Sequence, residues 1–123
     1  MKRLAIVIGL ALCAVASDAS AGLFISVPVA VYAGSGAQGS MQAARFSSDG
    51  NQYIGCQVTA SGGSNSAYCF ARDSSANYIS CYTTDASAIQ NAGSVSSGSF
   101  VLFQVSGSTC TYVSVTNSSY FLQ

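Results

Sequence analysis

Beyond residue 50 the chain alternates apolar and polar positions with a period of two, the pattern of half-buried strands rather than helices. Five segments carry it on Tyr, Val, Ile, Phe and Thr: QYIGCQVT (52–59), AYCFAR (67–72), NYISCYTT (77–84), SFVLFQVS (99–106) and TCTYVSVT (109–116). The breaks ASGGSNS, DSSAN and SGS are turn formers, so antiparallel hairpins are expected within the first three strands and again between the last two. Between the third and fourth strands lies DASAIQNAGSVSSG, which predicts a short helix capped by Asp85, running through Ala92 and ended by Gly93.

A second alternating run lies upstream. Leu23, Ile25, Val27, Val29 and Val31 point one way, and Phe24, Ser26, Pro28, Ala30 and Tyr32 the other. Pro28 lacks the donor that a central strand needs, which restricts the run to an edge or to one-sided pairing. The GSGAQGS that follows reads as a flexible connector, making residues 23–32 a tethered strand. Such a strand can fold back on its own domain or complete the sheet of a neighbouring subunit.

Position counting converts the segments into a topology. Cys69 and Cys81 sit at equal offsets from a turn centred on Ser75, so they oppose one another across a hairpin. If the helix carries the chain across the sheet and the fifth strand pairs with the first, the order is 3-2-1-5-4, an antiparallel five-stranded sheet with Cys110 beside Cys56. The four cysteines that follow Cys13 allow three connectivities; this register favours Cys69–Cys81 with Cys56–Cys110. Strict alternation then puts Ile54, Cys56, Val58, Cys69, Ala71, Ile79, Cys81, Phe100, Leu102 and Cys110 on the face the helix covers. Tyr53, Tyr68, Phe70, Tyr78, Tyr82, Val101, Phe103, Val105, Val113 and Val115 fall on the other, which is apolar enough to require a partner.

Composition changes the picture at the N-terminus first. Met1-Lys2-Arg3, the apolar run Leu4–Ala16 and Ala19-Ser20-Ala21 form a secretory signal pattern, so residues 1–21 are expected to be removed and the chain to start at Gly22. The apolar run is shorter than the roughly 20 residues of a membrane span. Cys13, preceded by Leu12, fits a lipobox poorly. The expected organisation is a signal peptide (1–21), an N-terminal extension of strand and tether (22–40) and a stapled β domain (41–123). Secretion to the extracellular space or periplasm follows, and the even cysteine count of a short exported chain reads as two disulfides. Zinc is disfavoured, because no C-x2-C knuckle and no His is present.

After residue 21 the ionisable acids and bases are Arg45, Arg72, Asp49, Asp73 and Asp85, a net charge of 2 − 3 = −1. No basic patch exists for nucleic acid. A surface this poor in charge is weakly protected against association. The serines have no His or Lys to activate them. The three Asp residues read as turn residues, and GSGAQG is not followed by the Lys of a phosphate loop. No enzymatic activity, cofactor or metal is expected. Arg72 reads as a solvated hairpin charge, and the Asn117-Ser118-Ser119 glycosylation pattern is expected to stay unmodified in a chain with a bacterial-type signal. Tyr53, Tyr68, Phe70, Tyr78 and Tyr82 form a candidate binding face for glycan or protein.

At YIGCQV, YCFARD, YISCYTTD and CTYVSVTNSSY, residues 52–120, the chain resembles small secreted bacterial proteins with four cysteines and tyrosine-rich strands, a group without an assigned function. The resemblance implies a disulfide-stapled sheet and no active-site residues. The functional expectation is a non-enzymatic exported structural protein, a fibre subunit that self-assembles through residues 23–32. The alternative is a monomeric binding module using the tyrosine face.

Overall fold

The computed structural model describes residues 22–123; the expected signal peptide lies outside the described residues. The elements are β1 (Ala30–Tyr32), β2 (Gly36–Ser40), α1 (Met41–Arg45), β3 (Tyr53–Ser61), β4 (Ser64–Arg72), β5 (Tyr78–Thr83), α2 (Ala86–Ala92), β6 (Ser99–Ser106), β7 (Thr109–Asn117) and a 3-10 turn, Ser119–Phe121. The chain is mainly β, as the alternation predicts. β3 and β4 each reach further than the alternation suggests, because Ser61 and Ser64 pair directly over Gly62-Gly63. Both glycines have positive φ (58° and 83°), the backbone of a two-residue turn that matches strand twist. The expected helix between the third and fourth predicted strands is α2, and the Asp85 carboxylate accepts the Ala88 N–H at 2.9 Å as its N-cap.

The sheet has seven strands, not five, in the order β1-β2-β6-β7-β5-β4-β3. The predicted ladders are present: β3, β4 and β5 pair antiparallel in succession, as do β6 and β7. Their junction differs. The last strand joins β5, in parallel and through the single register pair Tyr82↔Thr109, rather than joining β3. The 3-2-1-5-4 order is therefore corrected, and the sheet is mixed. Loop length cannot distinguish the two junctions, since the α2 crossover reaches either edge of the first three strands.

The disulfides change with the junction. Cys69 does sit opposite Cys81, and also opposite Cys56, but the bridges are Cys56–Cys69 and Cys81–Cys110. In this strand order Cys56 and Cys110 lie three strand spacings apart, about 14 Å, beyond the roughly 7 Å that a disulfide spans. Only the observed pairing oxidises all four. The Cα–Cα distance of 4.0 Å marks Cys56–Cys69 as the narrow kind of antiparallel pair. Closing loops with sequence separations of 13 and 29 stabilises by about 3 and about 4 kcal/mol through denatured-state entropy.

β6 keeps a strict period of two but in the opposite sense to the one expected, and β7 breaks its period after Cys110. Val101 (0 % exposed), Phe103 (1 %) and Val113 (6 %) are buried with Ile54, Cys69, Ala71 and Cys81, while Phe100 and Leu102 are only half-buried. Gln104 pairs with Tyr112 but Val105 pairs with Cys110, so Thr111 is an extra residue on β7. This bulge lets Cys110 and Val113 both face inward, breaking the period of two. On the far side Phe100 stacks on Phe121 of the 3-10 turn at 5.6 Å.

The sheet curls until β1 approaches β4 and β2 approaches β3 and β5. The concave side is the core. α1 lies against β2, β3 and β6 and buries Ala44; α2 lies against β3, β4 and β7 and buries Ala92. α2 is tied to β7 by the Asn91 side-chain amide, which donates to the Val113 carbonyl at 3.0 Å.

The expected tether is a strand. Gly36–Ser40 forms β2, paired along its length with β6, and its Gly36, Ala37, Gly39 and Ser40 are buried. Small residues here serve close approach rather than flexibility. A Cβ on Gly36 would stand 2.1 Å from the Phe103 carbonyl oxygen, and one on Gly39 2.9 Å from the Val29 Cα. The expected long strand 23–32 is regular only at β1, which pairs back on β2 in the same chain. Ahead of it, Ser40 N–H donates to the Val27 carbonyl (2.9 Å), Val29 N–H to the Gln52 side-chain oxygen (2.9 Å) and Ile25 N–H to the Tyr120 carbonyl (2.6 Å). Val29 is 5 % exposed in the core, whereas Leu23 is 72 % exposed.

Two outcomes are expected from urea unfolding. Gly36→Ala, which clashes with backbone and is forced to a φ of 154°, destabilises by about 3 kcal/mol or more. Gly34→Ala, at φ 71° with open space around it, costs about 1 kcal/mol. Equal losses would show that the glycines serve flexibility. Deleting residues 22–40 uncovers Val101 and Phe103 and abolishes cooperative unfolding, rather than leaving an intact body; a retained sharp transition would contradict this placement.

Candidate functional site: the aromatic face

On the convex side of β3, β4 and β5 the registers place three rows: Tyr53–Arg72–Tyr78, Gly55–Phe70–Ser80 and Gln57–Tyr68–Tyr82. Of the six aromatic residues expected on one face, Tyr53, Tyr68, Phe70, Tyr78 and Tyr82 share it, whereas Phe103 is buried in the core with the cysteines. Tyr78 and Tyr82 are about half exposed (51 % and 52 %), with Tyr53 and Tyr68 at 40 % and 36 %. The rings pack on one another: Tyr53–Phe70 at 6.0 Å and 60°, Tyr53–Tyr78 at 6.5 Å and 57°, Tyr68–Phe70 at 5.7 Å and 34°. Such edge-to-face and tilted pairs are the favoured aromatic geometries.

Tyr68 and Tyr78 stand four residues apart along the ladder and lean together until their hydroxyls hydrogen-bond, arching over the Phe70–Ser80 row. The arch separates their ionisations. A hydrogen bond from Ser80, and then one from Tyr78, hold the Tyr68 phenol below its usual range. Ser80 acts on Tyr78 in the same sense, but donation to Tyr68, partial burial and the neighbouring Tyr68 and Tyr53 charges outweigh it and raise Tyr78.

Arg72 is not a fully solvated hairpin charge. It occupies the middle of a row between two tyrosines, is half-buried, and its Nε is buried with no hydrogen-bond partner. Arginine among tyrosines is a pairing suited to recognition. The chain matches no protein-family model, no curated protein and no solved structure. Function therefore has to be argued from this surface and its surroundings.

The carboxylates are committed to turns. Asp73 accepts from the Asn77 side-chain amide (2.9 Å) and from the N–H groups of Asn77 (2.9 Å) and Ser75 (3.0 Å); the Asn77 side chain first, then the backbone donors, hold its carboxyl below the usual range. Asp49 is likewise lowered, first by the Gln52 side chain and then by the Asn51 N–H. Gln52 in turn accepts from Val29, so this turn anchors the N-terminal segment.

A concavity of about 540 Å³ lies away from the aromatic rows, beside β2 and β6, where Tyr32, Gln38, Leu102, Gln104 and Thr111 are among its lining residues. Its only titratable side chain is the Tyr32 phenol, so it offers no acid–base pair. Sequence reasoning missed two exposed aromatics, Phe46 (62 %) and Tyr112. Tyr112 shares a face with Cys110 under strict alternation, but the Thr111 bulge turns it outward and it is 51 % exposed. The bulge leaves no compositional signal.

Alkaline titration followed by phenolate absorbance should show one tyrosine ionising early and one late. Ser80→Ala moves both upward, because its hydrogen bonds lower both; Tyr78→Phe moves Tyr68 upward by removing a donor to its phenolate. A titration unchanged by both substitutions would contradict the arch.

Proposed function

We propose that the chain is exported, loses residues 1–21, and acts without catalysis as an extracellular or periplasmic recognition protein that docks a partner protein on the aromatic face. One observation carries the reading: Tyr53, Arg72 and Tyr78 form one row across three contiguous strands, Phe70 and then Tyr68 and Tyr82 occupy the next rows, and the four tyrosines are exposed to solvent. Tyrosine and arginine are over-represented among residues that dominate protein interfaces. Rings inclined by 34–60° to one another offer no continuous plane for a file of sugar rings, which favours a protein over a glycan. The two disulfides suit an oxidising compartment, and no helix among the described residues is long and apolar enough to cross a membrane.

The fibre reading rests on residues 23–32, and their arrangement weighs against it as the first choice. Val29 fills the chain's own core and β1 pairs in cis, so donating the strand to a neighbour requires stripping it from β2. What favours it is the exposure of Leu23, Phe24 and Ile25 ahead of β1 (72 %, 38 % and 38 %).

The test combines light scattering with binding of the oxidised protein to purified surface proteins of its source cell and to a glycan array. Tyr78→Ser with Tyr82→Ser is expected to leave the unfolding transition within about 1 kcal/mol and to weaken partner binding by about thirtyfold or more, the effect of a loss of about 2 kcal/mol at a dominant interface residue. Filaments that persist in this double variant and vanish on Ile25→Asp would support the fibre reading instead. Glycan binding that survives it would leave the aromatic face without a role.

A further inference from the structure

The four cysteines of the described residues form one row across β3, β4, β5 and β7. Cys56 opposes Cys69 and Cys69 opposes Cys81, and Cys81 bonds Cys110 on the next strand. A residue whose backbone makes the narrow pair with one antiparallel neighbour makes the wide pair, with Cα atoms about 5.5 Å apart, with the other. Cys69 and Cys81 are therefore unbonded to each other yet already at a separation that disulfides accept. They are also the most enclosed of the four: Cys69 is 0 % and Cys81 1 % exposed, Cys110 7 %. Cys56 alone is half-buried, on the edge strand β3.

We infer that Cys56 is a thiol-exchange site, and that attack there by a low-molecular-weight thiol is relayed along the row to Cys110. The incoming thiolate attacks the Cys56 Sγ. The Cys56–Cys69 bond breaks, a mixed disulfide forms at Cys56, and the electron pair passes to Cys69. The Cys69 thiolate then attacks the Cys81 Sγ; Cys69–Cys81 forms, and Cys110 leaves as a thiolate that takes a proton from solvent. Two disulfides and one thiolate enter and two disulfides and one thiolate leave, so no oxidant is consumed.

The relay moves a bridge from where it is needed to where it is not. β4 and β5 are already joined by six register pairs from Ala67↔Thr83 to Arg72↔Tyr78. β5 and β7 share one register pair, with the Tyr82 N–H donating to the Ser108 carbonyl. After exchange the junction between the two halves of the sheet has no covalent tie. A small thiol captured at the edge thereby loosens the sheet at its centre.

The oxidised chain is incubated with reduced glutathione, quenched in acid, alkylated with a maleimide and mapped as non-reduced peptides. The expected product carries glutathione on Cys56, a Cys69–Cys81 linkage and maleimide on Cys110, with faster amide exchange at Tyr82. Glutathione on Cys81 or Cys110, or maleimide on Cys69 with Cys81–Cys110 intact, would overturn the relay. A second arm uses Cys110→Ser without added thiol. Cys81 then attacks Cys69 internally, so maleimide is expected on both Cys56 and Cys81. Label confined to Cys81 would overturn the exchange step, and the wild-type arm stands whether or not this variant folds.

Discussion

One register pair and one disulfide join the two halves of this sheet. β3, β4 and β5 form a closely laddered unit, and β1, β2, β6 and β7 form another. Between them β5 meets β7 only at Tyr82↔Thr109, beside Cys81–Cys110. A parallel contact this short cannot hold two ladders together by backbone hydrogen bonds. The covalent bridge supplies what the ladder lacks, and α2, which touches β4 as well as β7, covers the same junction. Curling the sheet so that β1 reaches β4 depends on that joint keeping its angle.

The curl in turn dictates which residues the interior accepts. Two sheet halves that face one another closely leave little depth for side chains, and much of the core is Ala37, Ala44, Ala67, Ala71, Ala92 and the cysteines, with Phe103 the largest fully buried side chain. β2 shows the same constraint at the backbone, where Gly36 and Gly39 admit Phe103 and Val29. A core of small residues buries little apolar area per residue, which is why two disulfides matter to a domain of this size.

Bulk that the interior cannot take appears outside. Tyr53, Tyr68, Phe70, Tyr78 and Tyr82 lie on the convex side, packed on one another and hydrogen-bonded at the arch. Cross-strand aromatic pairs stabilise the ladder beneath them, and the same rings present a broad, nearly uncharged surface around Arg72. Stability and recognition therefore draw on one set of residues, with the cysteine row on the reverse of the same three strands.

Much of this was legible in the residues. Alternation located the strands from Tyr53 onward, Asp85 announced α2, and the spacing about Ser75 set Cys69 against Cys81; the aromatic face followed from the same count. These are local properties, decided by a period of two and by turn chemistry within a hairpin. What composition misreported was β2: Gly and Ser read alike whether they loosen a chain or let two backbones touch, and only the position of Phe103 tells which. The Thr111 bulge broke the period of β7 and turned Tyr112 outward for the same reason, since an unpaired residue is defined by its partner strand. The β5–β7 junction, and with it the choice of Cys81–Cys110 over Cys69–Cys81, belongs to tertiary structure, because a crossover between ladders is decided by which faces can bury each other and not by the residues that make the crossing.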